Sequence, residues 1–100
     1  MLKMSEETPQ VKLPDGLLNG YEIDSIDGSQ INGCFDGKAT IRFHNPHADE
    51  YLECSLIHNQ IHGEVKLFNK EGVCFFSCMC ANGILIKDSE MHVVVLYVYE

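Results

Sequence analysis

Positive charge is what this chain has least of: seven lysines and arginines stand against fifteen aspartates and glutamates in 100 residues, a formal net charge of −8 at pH 7. The deficit runs through both halves, −5 in residues 1–50 and −3 in residues 51–100. A phosphate backbone is gripped mainly by lysine and arginine, so direct nucleic-acid binding is not expected. Long apolar runs are missing as well. The longest, Val93–Tyr99, falls far short of the roughly 20 residues a membrane-spanning helix needs. There is no basic stretch followed by an apolar run and a small-residue cleavage site, and no Asn-x-Ser/Thr acceptor, so neither secretion nor a membrane is expected. Five cysteines cannot all pair within one chain, and Cys74, Cys78 and Cys80 crowd one stretch; a reducing, cytoplasmic setting fits them. A Gly-x4-Gly-Lys-Ser/Thr loop, a Gly-x-Ser-x-Gly elbow and a His-Glu-x-x-His pair are all absent, which leaves an enzyme reading without a foothold. No cofactor is expected.

Glycine, by contrast, is placed with regularity. Six of the eight follow Asn or Asp: Asp15-Gly16, Asn19-Gly20, Asp27-Gly28, Asn32-Gly33, Asp36-Gly37 and Asn82-Gly83. Such dipeptides suit the two-residue type I′ turn of a β-hairpin, because Asn and Asp tolerate positive φ and glycine adopts it freely. The runs at 39–43, 50–57, 64–68, 73–80, 84–87 and 92–99 are rich in β-branched, aromatic and sulfur-bearing side chains, as strands are. No long 3.6-residue periodicity competes with them. Residues 1–12, with Glu6, Glu7, Pro9, Gln10 and Lys12, read as a flexible tail, and 13–100 as one domain of ordinary size. The polar stretch 44–50, with Pro46, reads as a longer loop.

The clearest hairpin spans 63–80 around Asn69-Lys70-Glu71-Gly72, with Asn and Gly where a type I turn prefers them. Val65 and Leu67 share one strand face. On the returning strand Cys74, Phe76, Cys78 and Cys80 alternate with Phe75, Ser77 and Met79; neither face is plainly polar, so cover on both sides is expected. Asn59-Gln-Ile-His-Gly63 and Asn82-Gly-Ile-Leu-Ile86 recur at a spacing of 23 residues, and Ser29-Gln-Ile-Asn-Gly33 echoes the first. In these residues the chain resembles the MORN repeat family, and more loosely the MORN-like hairpin repeats of bacterial antitoxin-type proteins, over residues 28–86. Phe76, Ser55, Asn59, Gly63, Asn82 and Gly83 keep the character of the family pattern, while Gln60 stands at its turn glycine. The resemblance implies a non-enzymatic module that binds other proteins.

Two groups of side chains could carry chemistry. Cys74-x3-Cys78-x-Cys80 with His58-x3-His62 holds enough soft ligands for tetrahedral zinc. A flat strand, however, spreads alternate cysteines about 7 Å apart instead of converging them. Small buried hydrophobes are the simpler role for these cysteines, and no cysteine sits beside a basic residue that would activate it. The acidic residues form the second group: Glu22, Asp24 and Asp27 in the first strand-turn region, with alternation placing Glu22 and Asp24 on one face, and Asp49, Glu50 and Glu53 at a loop-to-strand junction. They are either an acidic docking surface that steers a basic partner or a solvated face that keeps the protein soluble.

The expected fold is all-β: an antiparallel meander of short hairpins, either a twisted single sheet or a partly closed barrel, over Val65, Leu67, Phe76 and the C-terminal valines. A single sheet needs cover, from its own curvature or from a partner. The expected function is a non-enzymatic protein–protein interaction module. Its contact surface would combine Glu22, Asp24, Asp27, Asp49, Glu50 and Glu53 with the aromatics Tyr51, Phe68, Phe75, Tyr97 and Tyr99. The run 92–99 serves either as a buried strand or as the edge of a homodimer. Two further readings stand beside this one. If the short acidic chain is complete, it fits a phage or mobile-element inhibitor, of anti-CRISPR or antitoxin type, that blocks a nucleic-acid enzyme by charge mimicry. The other is a structural zinc-binding domain.

Overall fold

The structure, a computed structural model, describes residues 11–92. Among these residues every regular element is a strand: β1 (Ile23–Ile31), β2 (Cys34–Phe43), β3 (Tyr51–Ile57), β4 (Gln60–Phe68), β5 (Cys74–Ala81), β6 (Ile84–Leu85) and β7 (Met91–His92). All pair antiparallel in one sheet whose order is the chain order from β1 to β6, with β7 returning to β5. The sheet is open, since β1 pairs with β2 alone. Of the two architectures expected, the single sheet is the one that forms.

Three hairpins turn on a pair of residues both at positive φ, the type I′ geometry that matches strand twist. They are Asn32-Gly33 (52° and 81°), His58-Asn59 (49° and 66°) and Asn82-Gly83 (51° and 81°). The β4–β5 hairpin turns on residues 69–72 as expected: Gly72 N–H donates to the Asn69 carbonyl at 2.9 Å, and Asn69 Oδ1 accepts the N–H groups of Glu71 and Val73. The other Asx-Gly pairs are not hairpin turns. Asp27-Gly28 and Asp36-Gly37 lie inside β1 and β2, while Asp15-Gly16 and Asn19-Gly20 belong to the stretch before β1. A glycine signals tolerance of positive φ, and a β-bulge uses that tolerance as readily as a turn does.

That second use recurs here. Between Gly28↔Ala39 and Gln30↔Phe35, β2 carries Asp36, Gly37 and Lys38 opposite Ser29 alone; between Glu53↔Lys66 and Ser55↔His62, β4 carries Gly63, Glu64 and Val65 opposite Cys54 alone. Gly37 (φ 109°) and Gly63 (φ 92°) supply the left-handed residue of each bulge. Each stands four residues past its turn, so the same turn-and-bulge unit occurs twice. Consecutive units are also bonded alike. Asn59 N–H donates to the Phe35 carbonyl at 3.1 Å, and Gly83 N–H donates to the Ile61 carbonyl at 2.8 Å. The second and third of these type I′ turns thus each rest on the second residue past the type I′ turn before them.

Alternation buries one face of the sheet. Ile41 and Phe43 of β2, Leu52, Cys54 and Leu56 of β3, Ile61, Val65 and Leu67 of β4, and Phe76, Cys78 and Cys80 of β5 form one core with Phe35, Ala39 and Leu17. The expected core residues Val65, Leu67 and Phe76 are there; the C-terminal valines lie outside the described residues. Among the described residues β5 is less covered on its second face than expected: Ser77 is half-buried and Met79 is 41% exposed. The second layer comes partly from the chain itself. Residues 11–21 form no strand, yet Pro14 and Leu17 are buried and Val11, Leu13, Leu18 and Tyr21 pack on the core.

Gly28 shows how closely β1 and β2 approach. A Cβ there would stand 2.9 Å from the Ala39 Cβ and 3.1 Å from the Lys38 carbonyl oxygen. Both neighbours are held by the sheet, so Gly28→Ala is expected to destabilise by about 1–3 kcal/mol through overpacking. Chemical denaturation checks this, with Gly33→Ala, whose added Cβ meets nothing within 4 Å, separating crowding from turn strain.

Candidate interaction surface

The face opposite the core is assembled by strand register. Arg42, Tyr51 and Phe68 stand side by side across β2, β3 and β4. The Arg42 guanidinium carbon lies 5.1 Å from the Tyr51 ring centroid, a cation–π distance. Tyr51 in turn stacks on Phe68, centroids 5.0 Å apart and planes within 9°. The next row is Asp27, Thr40, Glu53, Lys66 and Ser77. Here the face opens into a groove of about 520 Å³ lined mainly by Asp27, Lys38, Thr40, Glu53, Ser55, Glu64 and Lys66. Lys38 and Glu64 each follow a bulge glycine, so the repeated irregularity shapes the groove. Charges of both signs are mixed around it. The one ion pair among these groove residues, Lys66 Nζ to Glu64 Oε1 at 3.9 Å, is half-exposed and contributes little to stability.

The expected acidic surface divides four ways. Asp27 and Glu53 join the groove. Glu22 and Asp24 lie along the outer edge at β1, where a register shift between Ile23 and Ser25 takes Asp24 out of the alternation with Glu22. Asp24 approaches His44 Nε2 at 3.6 Å with both side chains more than half exposed. Asp49 is exposed in the β2–β3 loop. Glu50 has a structural role instead: one oxygen accepts the Tyr21 hydroxyl and the other lies 3.4 Å from His47 Nδ1. Tyr21 stacks on His47 at 3.5 Å and meets Phe43 edge-on at 5.0 Å. This cluster fastens the stretch before β1 to the β2–β3 loop, a role the sequence hid because Tyr21 and Glu50 are 29 residues apart.

Burial first, then the hydrogen bond and negative charge of Glu50, raise the Tyr21 hydroxyl above its usual pKa of 10. A folded-state pKa above the unfolded one contributes stability that is complete below pH 10 and is lost as pH climbs further. Tyr21→Phe is therefore expected to flatten the fall in melting temperature above pH 10. Thermal scans from pH 8 to 11 check it, and an unchanged alkaline slope would place the loss elsewhere.

Among the aromatics, Tyr51 and Phe68 are brought together and Phe75 is taken away from them. Leu67 pairs with Phe76 and Phe68 with Cys74, so Phe75 is the unpaired residue of a bulge. It packs against the core and lines a cleft with Leu18, Tyr21 and His92. Tyr97 and Tyr99, and the strand or dimer edge expected at 92–99, lie outside the described residues apart from His92 in β7. Arg42, Lys38, Lys66, Thr40 and Ser55 belong to this surface although none is among the expected contact residues. The alternation Lys38, Thr40, Arg42 was the available signal.

All five cysteines are free thiols. Desolvation pushes Cys54 and Cys78 up to about 12 and raises Cys80 as well, which disfavours the reactive thiolate. Cys74 Sγ donates to the Phe76 carbonyl and His62 Nδ1 accepts Asn82 N–H. No group of three or more His, Cys, Asp or Glu is placed to hold a metal among the described residues. At pH 8 an alkylating reagent is expected to modify the half-buried Cys34 and Cys74 in the folded protein, with Cys54, Cys78 and Cys80 following only on denaturation; peptide mass spectrometry reads the order.

No family model, no curated protein and no solved structure matches this chain. No helix among the described residues is long and apolar enough to cross a membrane.

Proposed function

We propose that the protein is a non-enzymatic, cytoplasmic protein-interaction module built on MORN-like hairpin repeats. The Arg42–Tyr51–Phe68 row carries the reading: a cation and two aromatic rings stacked across three strands on the face of the sheet opposite the core. Arginine and tyrosine are the side chains most enriched where protein partners bind tightly. The mixed-sign groove beside them offers polar groups for a partner's rim contacts. The twice-repeated turn-and-bulge unit supports the repeat reading, and five unpaired thiols support a reducing compartment. Charge mimicry of a nucleic acid is less well supported by this face. Lys38, Arg42 and Lys66 interrupt the acids of this face, whereas imitation of a phosphate backbone needs a continuous anionic track.

The test is capture of partners from the native source by the intact protein, by Tyr51→Ala/Phe68→Ala, and by a form with Glu22, Asp24 and Asp27 reversed to lysine. A partner held by the intact protein and lost by the aromatic double variant is expected. Capture that is identical for all three forms counts against the module reading. The reversed residues are exposed, so their melting temperature should change little.

A further inference from the structure

We infer that the outer edge of β1 accepts an extended, lysine- or arginine-bearing segment of a partner protein as an added strand of the sheet. This rests on the interaction-module reading and names the partner's chemistry.

The two edges of the sheet are treated differently. Beyond β5, the edge is filled by β6 at Cys80 and Ala81 and by β7 at Phe76 and Ser77. Between them the Ser89 hydroxyl substitutes for a strand: Oγ accepts Met79 N–H at 3.0 Å, donates to the Ile86 carbonyl at 2.7 Å and lies 3.2 Å from the Met79 carbonyl. β1 at the opposite end spans nine residues. Among the described residues no strand pairs with its outer side. Alternate residues of an antiparallel edge strand turn N–H and C=O outward, which is the template for strand addition.

The charge of this edge selects its occupant. Glu22, Asp24 and Asp27 are exposed along it and β1 contains no lysine or arginine; the nearest cations in register, Arg42 and Lys38, lie one strand inward on β2. A second copy would add its own Asp24 and Asp27 to the same acidic edge, and like charges across a strand pair repel. A basic strand makes the opposite contact. The register shifts at 23–25 and 28–30 leave a regular stretch from Ser25 to Gly28. The addition is therefore short, and its affinity depends on the charges that accompany the backbone bonds. Bulges and acids also guard edges against indiscriminate pairing, so the same features that admit a basic strand exclude neutral ones.

The probe is a short peptide alternating lysine and valine, added to the full chain and followed by fluorescence anisotropy and by backbone amide hydrogen exchange. Two N-methylated forms, each blocking one alternate set of amides, keep the charge and remove one set of donors. The peptide should slow exchange within residues 23–31. One N-methylated form should bind about tenfold more weakly than the other, a difference of about 1.4 kcal/mol. Asp24→Lys/Asp27→Lys should weaken the parent peptide by a similar factor. Three results overturn the inference: equal binding of both N-methylated forms, β1 amides already protected without peptide, or protection at 23–31 that rises with protein concentration alone. If the peptide instead binds through Tyr51 and Phe68 regardless of N-methylation, the edge proposal fails while the module reading survives.

Discussion

Replacing Asn59 by alanine is expected to cost about 2–3 kcal/mol, which in a domain of this size lowers the melting temperature by roughly 10–20 °C. Three effects converge on this residue. Asn59 sits at φ 66°, where an ordinary side chain is strained and asparagine is tolerated. Its Oδ1 accepts the Phe35 N–H at 2.7 Å, and its own N–H donates to the Phe35 carbonyl at 3.1 Å. Phe35 is 5% exposed, so losing the side-chain acceptor leaves a largely buried donor without its partner. Asn59→Gly separates the contributions: it keeps the turn and loses only the side-chain bond, so its cost should be clearly smaller. Equal costs for the two variants would mean that backbone strain plays no part. A change below about 0.5 kcal/mol for both, the level of an ordinary surface substitution, would mean that this bridge does not hold consecutive hairpins together.

The second large effect is expected at Leu17, which is 2% exposed and closes the core from outside the sheet. Leu17→Ala should destabilise by about 2–5 kcal/mol, the usual range for a leucine deleted from a packed interior. Leu17→Asp places an unpaired carboxylate in the apolar core and should leave the chain largely unfolded. Urea unfolding of both variants, with Asp15→Ala as an exposed control in the same stretch, checks this. Binding of a hydrophobic dye by Leu17→Asp, and not by the control, would show that the apolar face of the sheet has lost its cover. Native stability in Leu17→Asp would mean instead that the sheet closes over its own core unaided.

How much could be read beforehand depends on the range of each interaction. Strand identity was legible because alternation is local: β3 reads Tyr-Leu-Glu-Cys-Ser-Leu-Ile, and its leucines and cysteine are the buried set. The turns at Asn32-Gly33, Asn82-Gly83 and 69–72 were legible for the same reason. His58-Asn59 was missed because asparagine can take the left-handed conformation without a neighbouring glycine. Asp36-Gly37 was misjudged because a bulge and a turn make the same demand of one residue's φ. At the surface, Tyr51 and Phe68 could be named singly, but their stacking depends on the register of β3 with β4, and Phe75 was lost from the group through one bulge in β5. Glu50 shows the same dependence. Its carboxylate looked free until the fold set Tyr21 against it.

Composition, alternation and turn chemistry by themselves determined an all-β antiparallel meander and one apolar face that includes Val65, Leu67 and Phe76. These properties rest on each residue's own conformational and solvation preferences, which neighbours a few positions away already express. Only the tertiary structure decided that the sheet stays open, that residues 11–21 cover its core, that Gly37 and Gly63 serve bulges, and that Arg42, Tyr51 and Phe68 form one row. Each of these depends on which distant segment lies opposite, and that is set by the summed packing of the whole core and by hydrogen bonds such as Asn59 to Phe35 and Gly83 to Ile61, which exist only once the hairpins have stacked.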